Sequence, residues 1–258
     1  MRLNLRTVRI GLSPTSLEMA VFDWRGRPLR AERFAVEDGH GWKETTAALR
    51  AQLQNSQWKA GAAQIVLSSH FVRHCMLPAE LSRSNAVEQA AYVRHVFRAE
   101  YGDAVDGWRI ATDQAASRAR LACAIDASLF DELAAACRDA GTRLRSVLPC
   151  LAAAANAGRA TIRQSSAWVA ILESNLCVAG LLESGRWAHI ARLRLPRISG
   201  AALLRLVEEQ EVVLGRESAV RTLYVGGAAR DLLEDADLSG WTIDFLPAAV
   251  TLPRPLSS

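Results

Sequence analysis

The segment His70-Phe71-Val72-Arg73-His74-Cys75 brings together two imidazoles and a thiol, the side-chain types that ligate zinc. On a helix His70 and His74 would share a face, but the preceding Gln64-Ile65-Val66-Leu67 reads as a strand. Four residues along a strand span roughly 13 Å, and a zinc site needs more ligands than this segment offers, so no metal is expected. The five cysteines (Cys75, Cys123, Cys137, Cys150, Cys177) form no C-x-x-C pair and no even framework, which predicts reduced thiols. Cys137 and Cys150 lie in apolar helical patterns. Gly226-Gly227 follows the apolar run Leu223-Tyr224-Val225, and such a pair after a strand is by itself what tight turns use everywhere. Arg192-Leu193-Arg194-Leu195-Pro196-Arg197 alternates like a strand with one charged face.

Composition narrows the classes further. The 258 residues are 50% hydrophobic and 22% charged, with a mean hydropathy of +0.04, enough apolar surface for a packed core and too much for a disordered chain. The net charge of +4 comes from arginines scattered among acids, with Lys43 and Lys59 the only lysines. Nucleic-acid binders instead concentrate basic residues in a stripe, so no nucleic-acid partner is expected. No apolar run reaches the ~20 residues of a membrane-spanning helix, and Met1 to Arg6 lacks the apolar core of a signal peptide. These features predict a globular protein of the cytoplasm.

The elements that must position these residues repeat. Residues 17–22 and 29–36 read as strands around the turn Asp23-Trp24-Arg25-Gly26-Arg27. A helix with Trp42, Thr46, Leu49 and Leu53 on one side follows, then a strand at 64–67 whose apolar composition predicts burial on both faces. A helix over about 84–101 carries the stripe Val87, Ala91, Phe97, Tyr101; strands are expected at 108–111 and 120–125. Ser128 and Asp131 suggest a capping box for a helix that ends at Gly141, and an Ala-rich helix is expected over 147–157. Strands at 167–171, 176–182 and 187–195 then precede a helix at 199–214, a strand at 222–225 and a short helix to Asp235. Strand, hairpin, helix and strand in each half predict a duplicated α/β architecture.

That order resembles the actin-like (ribonuclease H-like) nucleotide-binding fold, and within it the PilM family of pilus assembly and the cytoplasmic domain of the GspL family of type II secretion. Four passages carry the resemblance. Val8 to Leu17 is similar to the first phosphate loop, Cys123 to Val147 to the connecting segment, Trp168 to Arg186 to the second phosphate loop, and Leu223 to Ala228 to the adenosine side. The resemblance implies a duplicated two-lobe fold, with lobe I over 1–162 bearing a small inserted subdomain at about 70–111, and lobe II over 163–258. It marks Gly11, Ser13, Thr15, Gly226 and Gly227 as degenerate nucleotide-site positions.

The departures from the family pattern matter more than the matches. Active relatives carry I-D-I-G-S/T in the first loop; here Gly11 stands at the Asp and Ser13 at the Gly, beside Pro14, which has no N–H to aim at a phosphate. In the second loop, where relatives resemble V-D-I-G, the Asp is Ala170 or Ile171 and the Gly is Glu173. Losing both acids removes the protein anchors of Mg²⁺, so ATP and Mg²⁺ are disfavoured and no cofactor is expected. Asp113 and Asp126, the acids nearest a kinase base position, read as a polar turn and a helix cap. The resemblance therefore implies a non-catalytic pseudo-ATPase scaffold at the cytoplasmic side of a type IV pilus or type II secretion assembly. The alternative is an ATP-binding protein or weak ATPase of the same superfamily. The implied partner is the short cytoplasmic tail of an inner-membrane assembly protein, or the assembly ATPase, which would hold the chain at the membrane peripherally. No membrane helix follows through Ser258, which fits a soluble member or a portion of a longer chain. Phe71, Arg73, Arg94, Arg98 and Arg109 gather apolar and cationic groups suited to an acidic tail. The tryptophans Trp24, Trp42, Trp58, Trp108, Trp187 and Trp241 are candidates for partner contact, but aromatic residues are more often buried than interfacial, so the core is their expected place.

Overall fold

The computed structural model describes residues 6–36, 41–78, 85–113, 120–173, 175–194, 199–216, 220–227 and 240–247. The chain divides into two compact units, Met1–Val72 with Ile125–Ala153 and Ala248–Ser258, and Arg73–Ala124 with Ala154–Pro247.

In the first unit, β1 (Thr7–Ser13), β2 (Ser16–Phe22), β3 (Pro28–Ala35), β4 (Ala62–Leu67) and β8 (Arg143–Pro149) form one sheet in the order β3-β2-β1-β4-β8. Strict alternation sets its buried face. Val8, Ile10 and Leu12 pair with Val21, Met19 and Leu17 on one side and with Ala63, Ile65 and Leu67 on the other. All nine are at most 2% exposed. Helices α1 (Lys43–Leu53) and α3 (Ala127–Asp139) bury Leu49, Leu53, Leu129, Leu133, Ala136 and Cys137. The expectation that β4 is buried on both faces does not hold, because Gln64 and Val66 on the opposite face are only half-buried.

The second unit contains β9 (Ser166–Glu173), β10 (Leu176–Glu183), β11 (Arg186–Arg194), β12 (Thr222–Gly227) and β13 (Thr242–Phe245), in the order β11-β10-β9-β12-β13. This is the order of the first sheet, with the same antiparallel hairpin and the same two parallel neighbours. Even the register shift recurs. It falls after Val21 in β2 and after Leu181 in β10, each five residues beyond the first residue of its strand. Helix α5 (Gly200–Val213) closes one face of this sheet, packing Leu203, Leu204, Leu206 and Val207 on Trp168, Ala170, Leu172, Cys177 and Ala179.

A small sheet, β5 (Arg73–Leu77), β6 (Trp108–Thr112) and β7 (Arg120–Asp126), has the order β5-β7-β6. Helix α2 (Ala86–Tyr101) packs Val93 and Phe97 onto Leu77, Ala122 and Ala124. The inserted segment expected over about 70–111 thus takes in β7, which lies outside that range. Its residues 73–124 group with the second sheet because β5 lies against β11.

Several local expectations are corrected. Residues 143–149 are strand β8, and the Ala-rich helix α4 begins only at Cys150 (Cys150–Ala157). Asp126, not Ser128, caps α3, accepting from the Ser128 N–H at 2.8 Å. On α2, Val87 and Ala91 are exposed, since the small sheet reaches only the helix's C-terminal half. The short helix expected up to Asp235 lies outside the described residues. Asn85 closes a capping box with Glu88 at the start of α2. Asn85→Ala should lower the unfolding free energy by about 1 kcal/mol, read from a urea midpoint shift at unchanged slope.

Candidate functional site

At the first of the two hairpin tips, where an actin-like nucleotide site would cradle phosphates, the turn is the two residues Pro14-Thr15. Ser13 pairs with Ser16 across Pro14-Thr15, and Glu173 pairs with Leu176 across the corresponding tip. The shared register makes Gly11 equivalent to Ile171 and Ser13 to Glu173, so the two loops depart from the family pattern at the same strand positions. At the first tip Pro14 has no N–H, and the Ser16 N–H donates to Ser13 Oγ at 3.0 Å. The Ser13 carbonyl accepts from Thr45 Oγ1 at 2.9 Å, tying the tip to α1. Backbone N–H groups are the phosphate-binding element of such loops, and this tip has little left beyond Thr15. Gly11 faces Glu18 across the strand pair, and Glu18 is held by Arg33 at 2.5 Å.

The adenosine-side pair also has a packing explanation. Gly226 sits beside Ile171 in the β12–β9 register, and a Cβ on Gly226 would lie 2.7 Å from Ile171 Cδ1. Ala154 and Leu246 complete the wall around it. Gly226 is small because Ile171 fills the space where a side chain would lie. Gly227 pairs with Leu172.

The C-terminal ends of the parallel strands β1 and β4 carry polar residues that the sequence reading passed over, although ligands commonly bind at such ends. The Ser68 N–H donates to the Leu12 carbonyl at 2.8 Å. Ser68 Oγ lies 2.8 Å from His70 Nδ1, and Ser69 Oγ lies 3.0 Å from Cys150 Sγ. The adjacent serines directly after an apolar strand are the signal that marks them. His70 and His74 fall in different units, and among the described residues no group of three or more His, Cys, Asp or Glu is placed to hold a metal ion. Burial pushes the thiols of Cys137 and Cys177 up to about 11 and about 12, which makes them poor nucleophiles.

The residues marked for partner contact separate. Phe71 belongs to the first unit, and Arg73, Arg94, Arg98 and Arg109 to the second. Arg94 Nη1 donates to the Val105 carbonyl at 3.0 Å and lies 3.9 Å from Asp106. Arg98 pairs with Asp106 and lies 3.9 Å from Asp103. Both guanidinium groups are therefore engaged by the 3-10 turn over Gly102–Gly107. Trp24 is 67% exposed at its hairpin tip under Arg25, whereas Trp58 and Trp168 are fully buried.

No protein-family model matches the chain, and no curated protein matches it in sequence. Solved structures match over most of its length. A protein from Bacteroides thetaiotaomicron with an actin-like ATPase fold and unknown function superposes with a TM-score of 0.63 at 12% identity, covering 90% of this chain and 86% of its own. The fold is actin-like. A PilM–PilN type IV pilus biogenesis complex gives 0.66 at 12% identity, covering 93% and 88%. The cytoplasmic domain of EpsL, an inner-membrane component of the type II secretion system of Vibrio cholerae, gives 0.57 at 11%, covering 85% and 81%. At such identities the likeness is one of fold, and the actin-like fold hosts many functions. No helix among the described residues is long and apolar enough to cross a membrane.

Proposed function

We propose that the chain is a non-catalytic actin-like scaffold that works through protein–protein contacts in a type IV pilus or type II secretion assembly, on its cytoplasmic side. The observation that carries this reading is the packing of Ile171 against Gly226. One apolar contact joins Ile171, one of the two residues aligned with the second carboxylate, to the adenosine-side glycine. The tight Pro14-Thr15 turn and the carboxylate of Glu173 at the equivalent strand end add to it. An actin-like fold without a phosphate cradle retains its surfaces, and those can bind a partner peptide. The structural neighbours that include a PilM–PilN complex and an EpsL domain support the choice of machine. The partner is then an inner-membrane assembly protein presenting a short acidic cytoplasmic tail, and α2 is the docking helix.

The test is capture of purified tails from inner-membrane pilus and secretion proteins by the full chain, with ATP turnover measured in parallel. Arg94→Glu with Arg98→Glu should weaken tail binding by roughly tenfold in a folded protein. Asp103→Asn with Asp106→Asn should strengthen it about two- to fivefold, because exposed ion pairs of this kind contribute only about 0.2–1 kcal/mol and compete for the same guanidinium groups. Robust Mg²⁺-dependent ATP turnover would overturn the scaffold reading. Undiminished capture by the arginine variant would move the docking surface off α2.

A further inference from the structure

Of the seven tryptophans only Trp24 is exposed. It stands at the tip of the β2–β3 hairpin, at the end of the first sheet opposite Pro14-Thr15. The duplicated fold does not require it, because the second hairpin closes with just Ser184-Gly185 between Glu183 and Arg186. The first tip is held in one shape. Asp23 Oδ1 accepts from the Arg25 and Arg27 N–H groups at 2.9 Å each, and the Asp23 N–H donates to the Arg27 carbonyl at 3.0 Å. The Arg25 guanidinium lies over the Trp24 ring, 4.4 Å from its centroid. Just past the tip, Val21 pairs with Arg30 and Phe22 with Pro28, so Leu29 is an extra residue on β3, and it is 51% exposed. Cations continue along the same end of the sheet. Phe22, Thr7, Ala62 and Arg143 form one cross-strand row, and backbone hydrogen bonds link Arg6, Gly61 and Arg143 beside it. Lys59 precedes the row at the entry to β4, and Arg138 lies in the last turn of α3 just before it. Arg25, Lys59, Arg138 and Arg143 are exposed and have no carboxylate partner among the described residues. The acids nearest them are engaged already, Asp23 by Arg27 and both Glu132 and Asp139 by Arg50.

We propose that this end of the first unit is a contact for an anionic phospholipid surface, with Trp24 and Leu29 seated among the headgroups and the four cations against their phosphates. An indole is favoured at the headgroup level, where its ring meets the apolar boundary and its N–H stays among polar groups. The hydrogen-bonded turn presents that ring already ordered, so little freedom is lost on binding. The five strand ends span four strand spacings, roughly 19 Å. Cations strung along such a line suit a surface of diffuse negative charge better than one carboxylate or one phosphate, and each adds to the attraction because no carboxylate of the protein competes for it. By contrast Val212 and Val213, also exposed, lie one helical turn from Glu208 and Glu209, acids that an anionic surface repels. The proposal does not rest on the scaffold reading, since it uses no residue of α2 and needs no partner protein.

Sedimentation of the full chain with phosphatidylglycerol–phosphatidylcholine vesicles, against pure phosphatidylcholine vesicles, tests the proposal. Saturable binding to the anionic vesicles alone is expected, and it should weaken as salt rises. Trp24→Ser plus Leu29→Ser should lower the partition coefficient about tenfold and keep the salt dependence. The two lysines make a matched pair, because Lys59 lies at the proposed contact and Lys43 at the Pro14-Thr15 end, where its neighbour Thr45 bonds the Ser13 carbonyl. Lys59→Glu should lower the partition about fivefold or more, whereas Lys43→Glu should leave it within about twofold. Lipids brominated near the headgroup should quench the indole fluorescence, and Trp24→Phe should remove most of that quenching. Absence of binding to the anionic vesicles overturns the proposal. So does binding that Lys43→Glu weakens as much as Lys59→Glu, or that the variant of Trp24 and Leu29 leaves unchanged. Capture of an acidic protein through this end, without vesicle binding, would also overturn it and assign the surface to a protein.

Discussion

Trp168→Phe is expected to lower the unfolding free energy by about 2–4 kcal/mol, out of proportion to the small change in ring size. The indole of Trp168 is fully buried under α5, and its Nε1–H donates to Glu211 Oε1 at 2.6 Å. Glu211 is 8% exposed, and its Oε2 lies 3.5 Å from Arg216 Nε, an ion-pair distance without hydrogen-bond geometry. Arg216 is also paired with Glu183. Phenylalanine would keep most of the packing, including the edge contact with His189 at 6.2 Å, but leave a buried carboxylate without the hydrogen bond that Trp168 Nε1–H donates to it. Removing one partner of a buried charged hydrogen bond costs more than replacing both by apolar groups. Trp168→Phe combined with Glu211→Leu should therefore lose less than Trp168→Phe alone, in urea unfolding followed by circular dichroism. Additive losses would show that the indole contributes through packing alone.

The duplicated sheets were legible because each half advertises its hairpin. Asp23 to Arg27 and Glu183 to Arg186 are turn signals between alternating runs, with Gly26 and Gly185 both at positive φ. Strand β8 looks helical in the sequence because Val147 and Leu148 run directly into an Ala-rich segment, and a short apolar run carries no period that separates the two. Strand β13 has only four residues and was passed over for the same reason. Val87 and Ala91 fitted the apolar stripe of α2, yet a stripe shows only that a face is apolar, and the three short strands beneath α2 cover just its end. At the nucleotide positions, the alignment of Gly11 with Ile171 and of Ser13 with Glu173 was available from the sequence, since it needs only the hairpin register. The role of Gly226 was not. Its neighbour Ile171 is 55 positions earlier, and cross-strand contact between them exists only once β9 and β12 pair.

Restoring the missing acid at the second loop should cost stability without conferring nucleotide binding. Ile171 is 5% exposed, and its side chain fills the space over Gly226 beside Ala154 and Leu246. Ile171→Asp would replace that contact by a shorter, charged group in an apolar wall, with an expected loss of about 3–5 kcal/mol. Gly11→Asp meets a different obstacle, since position 11 stands opposite Glu18, and like charges facing each other across a strand pair are destabilising. Neither change removes Pro14 or Glu173, which still deny a phosphate its N–H donors and oppose its charge. Calorimetry should give a Mg²⁺-dependent Kd for ATP weaker than about 1 mM for the wild-type chain and for both variants. Micromolar affinity that requires Mg²⁺, in the wild type or gained by either variant, would show that the contact of Ile171 with Gly226 opens to admit a nucleotide. The chain would then be an ATP-binding member of its fold.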